Sequence, residues 1–509
     1  MQTTETQKTI TDEIQTAVRH SVMYGLGNVL AKVLGFLMLP LYTHYLNPID
    51  YGIMEILDLS MSLFGMFLTM GMTASVLRTY AAAASAEEKR TVIHTAFLFV
   101  TVTGLVTFVV GLGLARHLST MIFGPGVPPK YLLLSLCAFV LLYISNLPRT
   151  FLRALEASGT FTLVDSVSLF LTLALNIYFI AVARIGLVGM LLSPVLVGIL
   201  QVVLLSGWTI RKVGIGFHWP YMRQMLEFGW PLMFSNLAIF ALNFSDRFFL
   251  KHLQSLDVVG IYAVGYKFGF MINFLVIQPF YVMWQARMYI IHAQPEHPKI
   301  FDRIFVLYSL LVIYAGLALA VISPEIVRLM VASKFSSSQE VIPPVALAYV
   351  FWGIGFYSQL GMYVTNKTNL IGIISAAAAI LNLGLNYVLI LRYGMMGAAW
   401  ATVLGFLAIA VGSYCCSQRV YPLPLRVGRV SLTLLLAVGL YMLSRWCNPG
   451  SLGIALMIKG ILLGAFPVLL WKLRILSPAE IGTLASARNN AVAGFSRRFG
   501  FASGGVVRL

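Results

Sequence analysis

The feature that most constrains this chain is a series of long apolar stretches. A helix that crosses a lipid bilayer needs about 20 predominantly apolar residues, and about 14 stretches meet that length. Only 10% of the residues are charged, against about 25% in soluble proteins. Lipid must therefore surround most of the chain, and we predict an all-α integral membrane protein. The predicted spans are 21–41, 53–74, 92–115, 131–147, 161–183, 185–207, 229–249, 261–284, 304–323, 341–364, 369–391, 395–413, 429–446 and 451–471.

The apolar stretches come as two similar sets. Markers in the first half return after an offset of 207 to 210 residues: Leu46, Asp50, Gly52 as Leu253, Asp257, Gly260, and Asn176, Gly186, Gly189 as Asn386, Gly394, Gly397. Duplicated helix bundles are common in transporters, because two similar halves can rock around a shared site. We predict two pseudo-symmetric six-helix lobes, 1–210 and 211–420. Residues 421–509 add two further helices and a basic tail.

The basic residues predict the orientation of the chain. Alternate loops place 23 Lys and Arg on one side and nine on the other, with three more inside spans. Loops rich in Lys and Arg stay in the cytoplasm. An even number of spans then places both termini of this multi-pass protein in the cytoplasm.

The net charge of +17 needs no nucleic acid to explain it. The positive-inside bias accounts for most of it, and anionic membrane lipids attract such residues. The four cysteines lack metal-ligand spacing. We therefore predict membrane lipids as partners, no nucleic acid, no metal and no cofactor.

Three parts of the sequence carry a family resemblance. They are 39–52 (LPLYTHYLNPIDYG), 228–231 with 243–250 (FGWP and NFSDRFFL), and 382–387 with 393–402 (NLGLNY and YGMMGAAWAT). Together they resemble polysaccharide flippases, the Wzx-type branch of the multidrug/oligosaccharidyl-lipid/polysaccharide exporter superfamily. The resemblance covers about residues 20 to 470 of the printed sequence and predicts the same helix count.

The resemblance implies a function. Such flippases move an undecaprenyl-pyrophosphate-linked oligosaccharide across the inner membrane by alternating access, for lipopolysaccharide and related surface glycans. It implies an anionic lipid-linked glycan as substrate and a cationic lumen. Glycan polymerase machinery is the implied protein partner. The protein would then be a transporter, an antiporter if ion-coupled, and not an enzyme.

Six basic residues are candidate substrate contacts. Ionisable groups inside spans are costly and default to functional candidates. Lys32 lies near the middle of its span, and Lys267 lies six residues inside its own. Fixed cations in a low-dielectric cavity suit a pyrophosphate. The remaining candidates are Arg78, Arg149, Arg153 and Arg247. For the first three the alternative role is ordinary positive-inside anchoring, and for Arg247 it is an ion pair.

Three acids are candidate ion-coupling sites. Asp58 and Asp165 lie inside spans, and Asp246 lies beside Arg247 near the predicted outer end of span 229–249. Each could bind H⁺ or Na⁺ and couple export to an ion gradient. A structural hydrogen bond is an equally good interpretation for Asp58 and Asp165. A local ion pair is the alternative for Asp246.

Two other functions stay open at the sequence level. A multidrug or peptidoglycan-precursor exporter of the same superfamily would share the fold, although a drug exporter favours acids over mid-span lysines. A membrane polymerase or ligase of surface glycans would need a general base. The predicted outer loops, 116–130 and 324–340, are short and hold no paired carboxylates, which disfavours an enzyme.

Overall fold

A computed structural model describes residues 32–446 and 451–475 of the protein. Within these ranges all regular structure is helical, which confirms the predicted all-α fold. Eleven of the described helices are long and apolar enough to cross a membrane, or twelve if one bent pair counts as a single span. The start of span 21–41, both termini and the basic tail lie outside the described residues. The cytoplasmic placement of the termini therefore stays a prediction.

The helices follow the predicted spans closely. In chain order they are α1 Leu39–Tyr45, α2 Pro48–Thr69, α3 Met72–Ala82, α4 Ala86–Phe123, α5 Pro129–Ala154, α6 Ser158–Ile177, α7 Gly186–Gln201, α8 Gly207–Val213, α9 Trp219–Leu253, α10 Leu256–Ile272, α11 Gln278–His292, α12 His297–Met330, α13 Ser338–Ser358, α14 Leu360–Val364, α15 Asn369–Val420, α16 Val427–Trp446 and α17 Leu452–Lys472. Single π-helical turns, Tyr178–Val182, Val202–Ser206 and Asn273–Ile277, follow α6, α7 and α10.

The start of α2 is fixed by its own sequence. Asn47 caps the helix, and the side chain of Asp50 accepts a hydrogen bond from the Asn47 backbone N–H in a capping box. Pro48 occupies the first turn, where its missing N–H costs nothing. The repeat motif around Asp50 thus begins a helix, and this turn sets the direction of the helix that carries Glu55 and Asp58.

Non-helical backbone angles interrupt the chain at two places within long helical stretches. Met70 and Gly71 both adopt left-handed backbone angles, with φ of 41° and 66°, between α2 and α3. Gly394, with φ 55° and ψ −133°, breaks the 52-residue α15. Gly394 thus separates two helical segments, which correspond to the predicted spans 369–391 and 395–413. Glycine adopts positive φ at little cost, so it suits such a break.

The described chain divides into two compact units. The first contains the described residues up to Phe268, with Ile326–Val345 and Gly372–Gly405. The second contains Gly269–Glu325, Ala346–Ile371 and the described residues from Phe406 onward. These units follow spatial contacts and do not report the internal repeat. The division into lobes 1–210 and 211–420 with an addition at 421–509 therefore stays a prediction.

Within the first unit, α2 and α10 cross at two glycines. Gly52 and Gly260, 208 residues apart, occupy equivalent places in the sequence repeat. A Cβ atom added at Gly52 would overlap the Leu256 carbonyl, and one added at Gly260 would overlap the Pro48 carbonyl. Small residues allow helix backbones to approach closely in membranes. Only glycine fits at either position.

We expect Gly52→Ala to destabilise the protein by about 1–3 kcal/mol, the usual cost of overpacking a tight contact. Gly113→Ala is the matched control, since no neighbouring atom lies within 4 Å of a Cβ there. Alanine is the better helix former by up to about 1 kcal/mol, so the control should be neutral or slightly stabilising. Thermal unfolding in detergent measures both. Equal unfolding temperatures for the two variants would contradict the close contact.

In the second unit, one ion pair joins α17 to α12. The Lys459 Nζ lies 2.6 Å and 2.7 Å from the two carboxylate oxygens of Glu325. Both residues are buried, with 3% and 4% of their surface exposed. Lys459 therefore does not face lipid. It attaches the last described helix to the rest of its unit.

Candidate functional site

A cluster of buried charges lies at the predicted outer ends of α2, α9 and α10, within the first unit. Arg247 of α9 is 1% exposed. Its Nη1 donates to Asp246 Oδ1 and to the Asn243 carbonyl, each at 2.8 Å. Its guanidinium also lies 3.7 Å from the centre of the Tyr266 ring. Such a charge is tolerated in an apolar interior only when it is paired in this way.

Both carboxylate oxygens of Asp246 are hydrogen-bonded within this cluster. Its Oδ2 accepts a hydrogen bond from the Tyr262 hydroxyl at 2.5 Å and lies 3.5 Å from the Thr402 hydroxyl. Its Oδ1 accepts from the backbone N–H and the guanidinium of Arg247. The structure thus places Asp246 in a local ion pair. Its role in ion coupling stays a prediction.

Glu55 of α2 lies between two cations. Its Oε2 is 3.4 Å from the Lys267 Nζ, and its Oε1 is 3.8 Å from the Arg247 Nε. The Lys267 Nζ donates to the Tyr51 hydroxyl at 2.8 Å, and its side chain is 41% exposed. Glu55 was not among the predicted intramembrane acids. Its position one turn before Asp58, in an otherwise apolar helix, was the available signal.

The formal charges of this cluster balance. Arg247 and Lys267 provide two positive charges, and Glu55 and Asp246 provide two negative ones. From the sequence, Arg247 and Lys267 were predicted to attract an anionic substrate. With carboxylates already beside them, their direct contact with substrate stays a prediction, and their visible role is to join three helices.

A second polar region is a pocket of about 700 Å³ formed by α2, α5, α6 and α7. It contains three of the predicted residues, Asp58, Arg149 and Asp165. The Arg149 Nη1 lies 3.5 Å from Asp165 Oδ1. The structure thus brings a predicted substrate contact beside a predicted coupling acid. Arg149 and Arg153 are four residues apart, a spacing that places them on one face of a helix. The pairing of Arg149 with Asp165 across helices was not visible in the sequence.

The remaining basic candidates lie elsewhere. Arg78 of α3 is exposed, with its guanidinium 4.3 Å from the centre of the Phe228 ring. Arg153 lies 5.4 Å from the Phe161 ring and 3.4 Å from the Thr150 hydroxyl. Lys32 is exposed. No described carboxylate lies within ion-pair distance of these three. No hydrogen bond or ion pair in the described region joins Lys32 to Lys267.

Helices of this number and length, with ionised groups held between them, are typical of a transporter. Solved structures of other membrane proteins share this fold. A lipid II flippase, MurJ, in an inward closed conformation superposes with a TM-score of 0.71 at 14% identity, covering 89% of this chain and all of that one. An inward-facing multidrug resistance MATE transporter gives 0.60 at 15% identity, over 79% and 96% of the two chains. An outward-facing one gives 0.54 at 16%, over 82% and 96%.

The chain has the fold of the MOP-superfamily membrane transporters, which confirms the resemblance seen in three sequence segments. It belongs to the polysaccharide biosynthesis protein family, whose sequence profile matches residues 17–283. No characterised protein matches its sequence significantly. Among the described residues, no group of three or more His, Cys, Asp or Glu could hold a metal ion.

Proposed function

We propose that this protein is a flippase that moves an undecaprenyl-pyrophosphate-linked oligosaccharide across the bacterial inner membrane. It would work by alternating access and not as an enzyme. Family membership connects the chain to polysaccharide biosynthesis. The similarity to a lipid flippase extends over more of the chain than the similarity to multidrug transporters does. Both observations favour a lipid-linked glycan over a drug.

The observation that carries the proposal is the position of two arginines at the predicted cytoplasmic ends of two neighbouring helices. Arg78 on α3 and Arg153 on α5 have no carboxylate partner among the described residues. Their helices pack together, because Asn146 donates to the Thr73 hydroxyl at 3.3 Å and the Tyr80 and Phe151 rings are 6.3 Å apart. Guanidinium groups bind phosphates through paired hydrogen bonds. These two would receive the pyrophosphate as the cargo enters.

Coupling to an ion gradient is part of the proposal. Asp58 and Asp165 line the pocket between α2, α5, α6 and α7, where an H⁺ or Na⁺ could neutralise a carboxylate. Asp246 is a weaker candidate, since Arg247 and Tyr262 already bond its oxygens. Glycan polymerase machinery would take the cargo at the outer face.

A multidrug exporter is the second candidate, and one observation favours it. The pocket contains two carboxylates and one arginine, a balance that attracts cations. Drug sensitivity of a strain that lacks the protein, with normal surface glycan, would favour this candidate. Arrest of cell-wall synthesis would favour a peptidoglycan-precursor flippase.

A deletion strain tests the proposed function directly. We expect intact lipid-linked repeat units to accumulate on the cytoplasmic face, whereas loss of a polymerase leaves single units displayed outside. Complementation with Arg78→Gln/Arg153→Gln should restore export about tenfold less well than the wild type. One lost charge-assisted hydrogen bond costs about 1.5–3 kcal/mol, and 1.4 kcal/mol is tenfold.

Arg116→Gln is the matched control, because Arg116 is exposed at the predicted outer end of α4. It should complement fully at equal membrane abundance. A deletion strain with normal lipid-linked pools and normal surface glycan would exclude the proposed function. Full complementation by the double variant would instead remove the two arginines from it.

A further inference from the structure

The pocket between α2, α5, α6 and α7 contains buried polar atoms that make no hydrogen bond among the described residues. The buried atoms Arg149 Nε and Thr162 Oγ1 make no hydrogen bond within the described structure. Asp165 Oδ1 makes none either, and its one described ion-pair contact is with the Arg149 Nη1 at 3.5 Å. Thr162 and Asp165 are one turn apart on α6, and Arg149 approaches them from α5. Buried polar atoms are nearly always hydrogen-bonded in native proteins. Three unmet groups at one place therefore indicate that something polar binds there.

At the other end of the pocket, a network of hydrogen bonds already joins the polar side chains. The Gln201 amide donates to the Ser168 hydroxyl at 2.5 Å, and the Ser145 hydroxyl donates to the Gln201 oxygen at 3.1 Å. Ser168 in turn donates to the Val164 carbonyl at 2.7 Å. This network fixes α5, α6 and α7 to each other. The unmet hydrogen bonds are confined to the end of the pocket that contains Arg149.

The charge of the pocket excludes a pyrophosphate as its preferred ligand. Asp58 and Asp165 provide two negative charges and Arg149 one positive charge. A group with several negative charges would be repelled by the carboxylates at low dielectric. A neutral ligand carries no such penalty.

The unmet atoms fit a sugar. Arg149 Nε offers an N–H donor, Asp165 Oδ1 offers an acceptor, and the Thr162 hydroxyl can both donate and accept. Neighbouring hydroxyls on a sugar ring both donate and accept, so they can meet all three at once. The Phe139 ring also lines the pocket and offers an apolar surface. A few placed polar groups beside an aromatic wall are typical of small-molecule sites.

We propose that this pocket binds a neutral sugar residue of the lipid-linked glycan, with Arg149, Thr162 and Asp165 as its polar contacts. The proposal rests on the proposed flippase function and names where the glycan is held. It also assigns Arg149 to the sugar, while the pyrophosphate is left to Arg78 and Arg153.

Ser62 gives a sharp test, because it lines the pocket and its side chain is exposed there. Ser62→Phe should fill the space without disturbing the helices, and Ser62→Ala should leave it open. The probe is the free glycan cleaved from the host's own lipid carrier. It should raise the unfolding temperature of the purified wild-type protein and of Ser62→Ala. With Ser62→Phe we expect no such rise, and glycan export at least tenfold below that of Ser62→Ala.

A second pair of variants tests the hydrogen bonds. Thr162→Val removes the hydroxyl at nearly constant size and should weaken the glycan's stabilising effect about tenfold, whereas Thr162→Ser should retain it. Equal stabilisation of Ser62→Phe and Ser62→Ala by the glycan would overturn the sugar site. So would a shift caused by inorganic pyrophosphate that Ser62→Phe removes. Either result leaves the flippase function standing, since that function depends on the deletion strain.

Discussion

Arg247→Met should reduce the protein to low abundance in the membrane and lower its free energy of unfolding by about 3–5 kcal/mol. Removing one partner of a buried ion pair has that cost because the other charge stays buried and uncompensated. In this variant Asp246 loses its ion pair with the guanidinium, and Glu55 retains only its ion pair with Lys267. Methionine retains the length of the side chain, so the loss reports charge and hydrogen bonding more than packing. Thermal unfolding of the purified protein measures the effect.

Arg223→Met on the same helix is the control. Arg223 pairs with Glu227 at 2.7 Å, but the two side chains are 71% and 64% exposed. Exposed ion pairs contribute about 0–1 kcal/mol, so this variant should unfold near the wild-type temperature. If Arg247→Met were as stable as Arg223→Met, the buried cluster would contribute nothing to the fold.

Lys459→Met is the second change with a large expected effect. It leaves the Glu325 carboxylate, 4% exposed, without its only ion-pair partner in the described structure. We expect a loss of about 3–5 kcal/mol and earlier proteolysis of the segment that carries α16 and α17. The double variant Lys459→Met/Glu325→Met should recover most of the stability, because an apolar pair of similar volume removes both buried charges.

The comparison between single and double variants is the decisive measurement. Limited proteolysis of the detergent-purified protein, followed on a gel, gives the rate at which the segment is cut. Equal rates for Lys459→Met and the double variant would show that the loss comes from packing and not from an unpaired acid.

The sequence predicted the helices well, for a simple physical reason. Each span must satisfy its backbone hydrogen bonds internally while facing lipid. The length and apolar content of a span can therefore be read from its own stretch of sequence. The capping box at Asn47 and the break at Gly394 are also local signals, carried by residue types that favour those backbone angles.

The candidate site was less predictable. Lys267 was predicted as a costly charge inside an apolar span, and Arg149 as a candidate substrate contact just after span 131–147. The partners of these two residues were not predicted. Lys267 contacts a tyrosine 216 residues away. The pairing of helices depends on packing between segments that are distant in the sequence. The apolar periodicity of one helix does not show which other helix it packs against. For the same reason Glu55 and Glu325, which hold the buried cations, were absent from the predicted residues.

The Lys459–Glu325 pair has a consequence for the way the protein is made. The two residues are 134 positions apart, so the ribosome adds the lysine well after the glutamate. At about 5–20 residues per second, this interval lasts roughly 7–27 s. During that time the earlier helix carries an acid with no counterion, at the edge of or inside the bilayer. The ion pair can therefore form only after Lys459 has been added, and a chain halted before that residue would keep Glu325 without this partner.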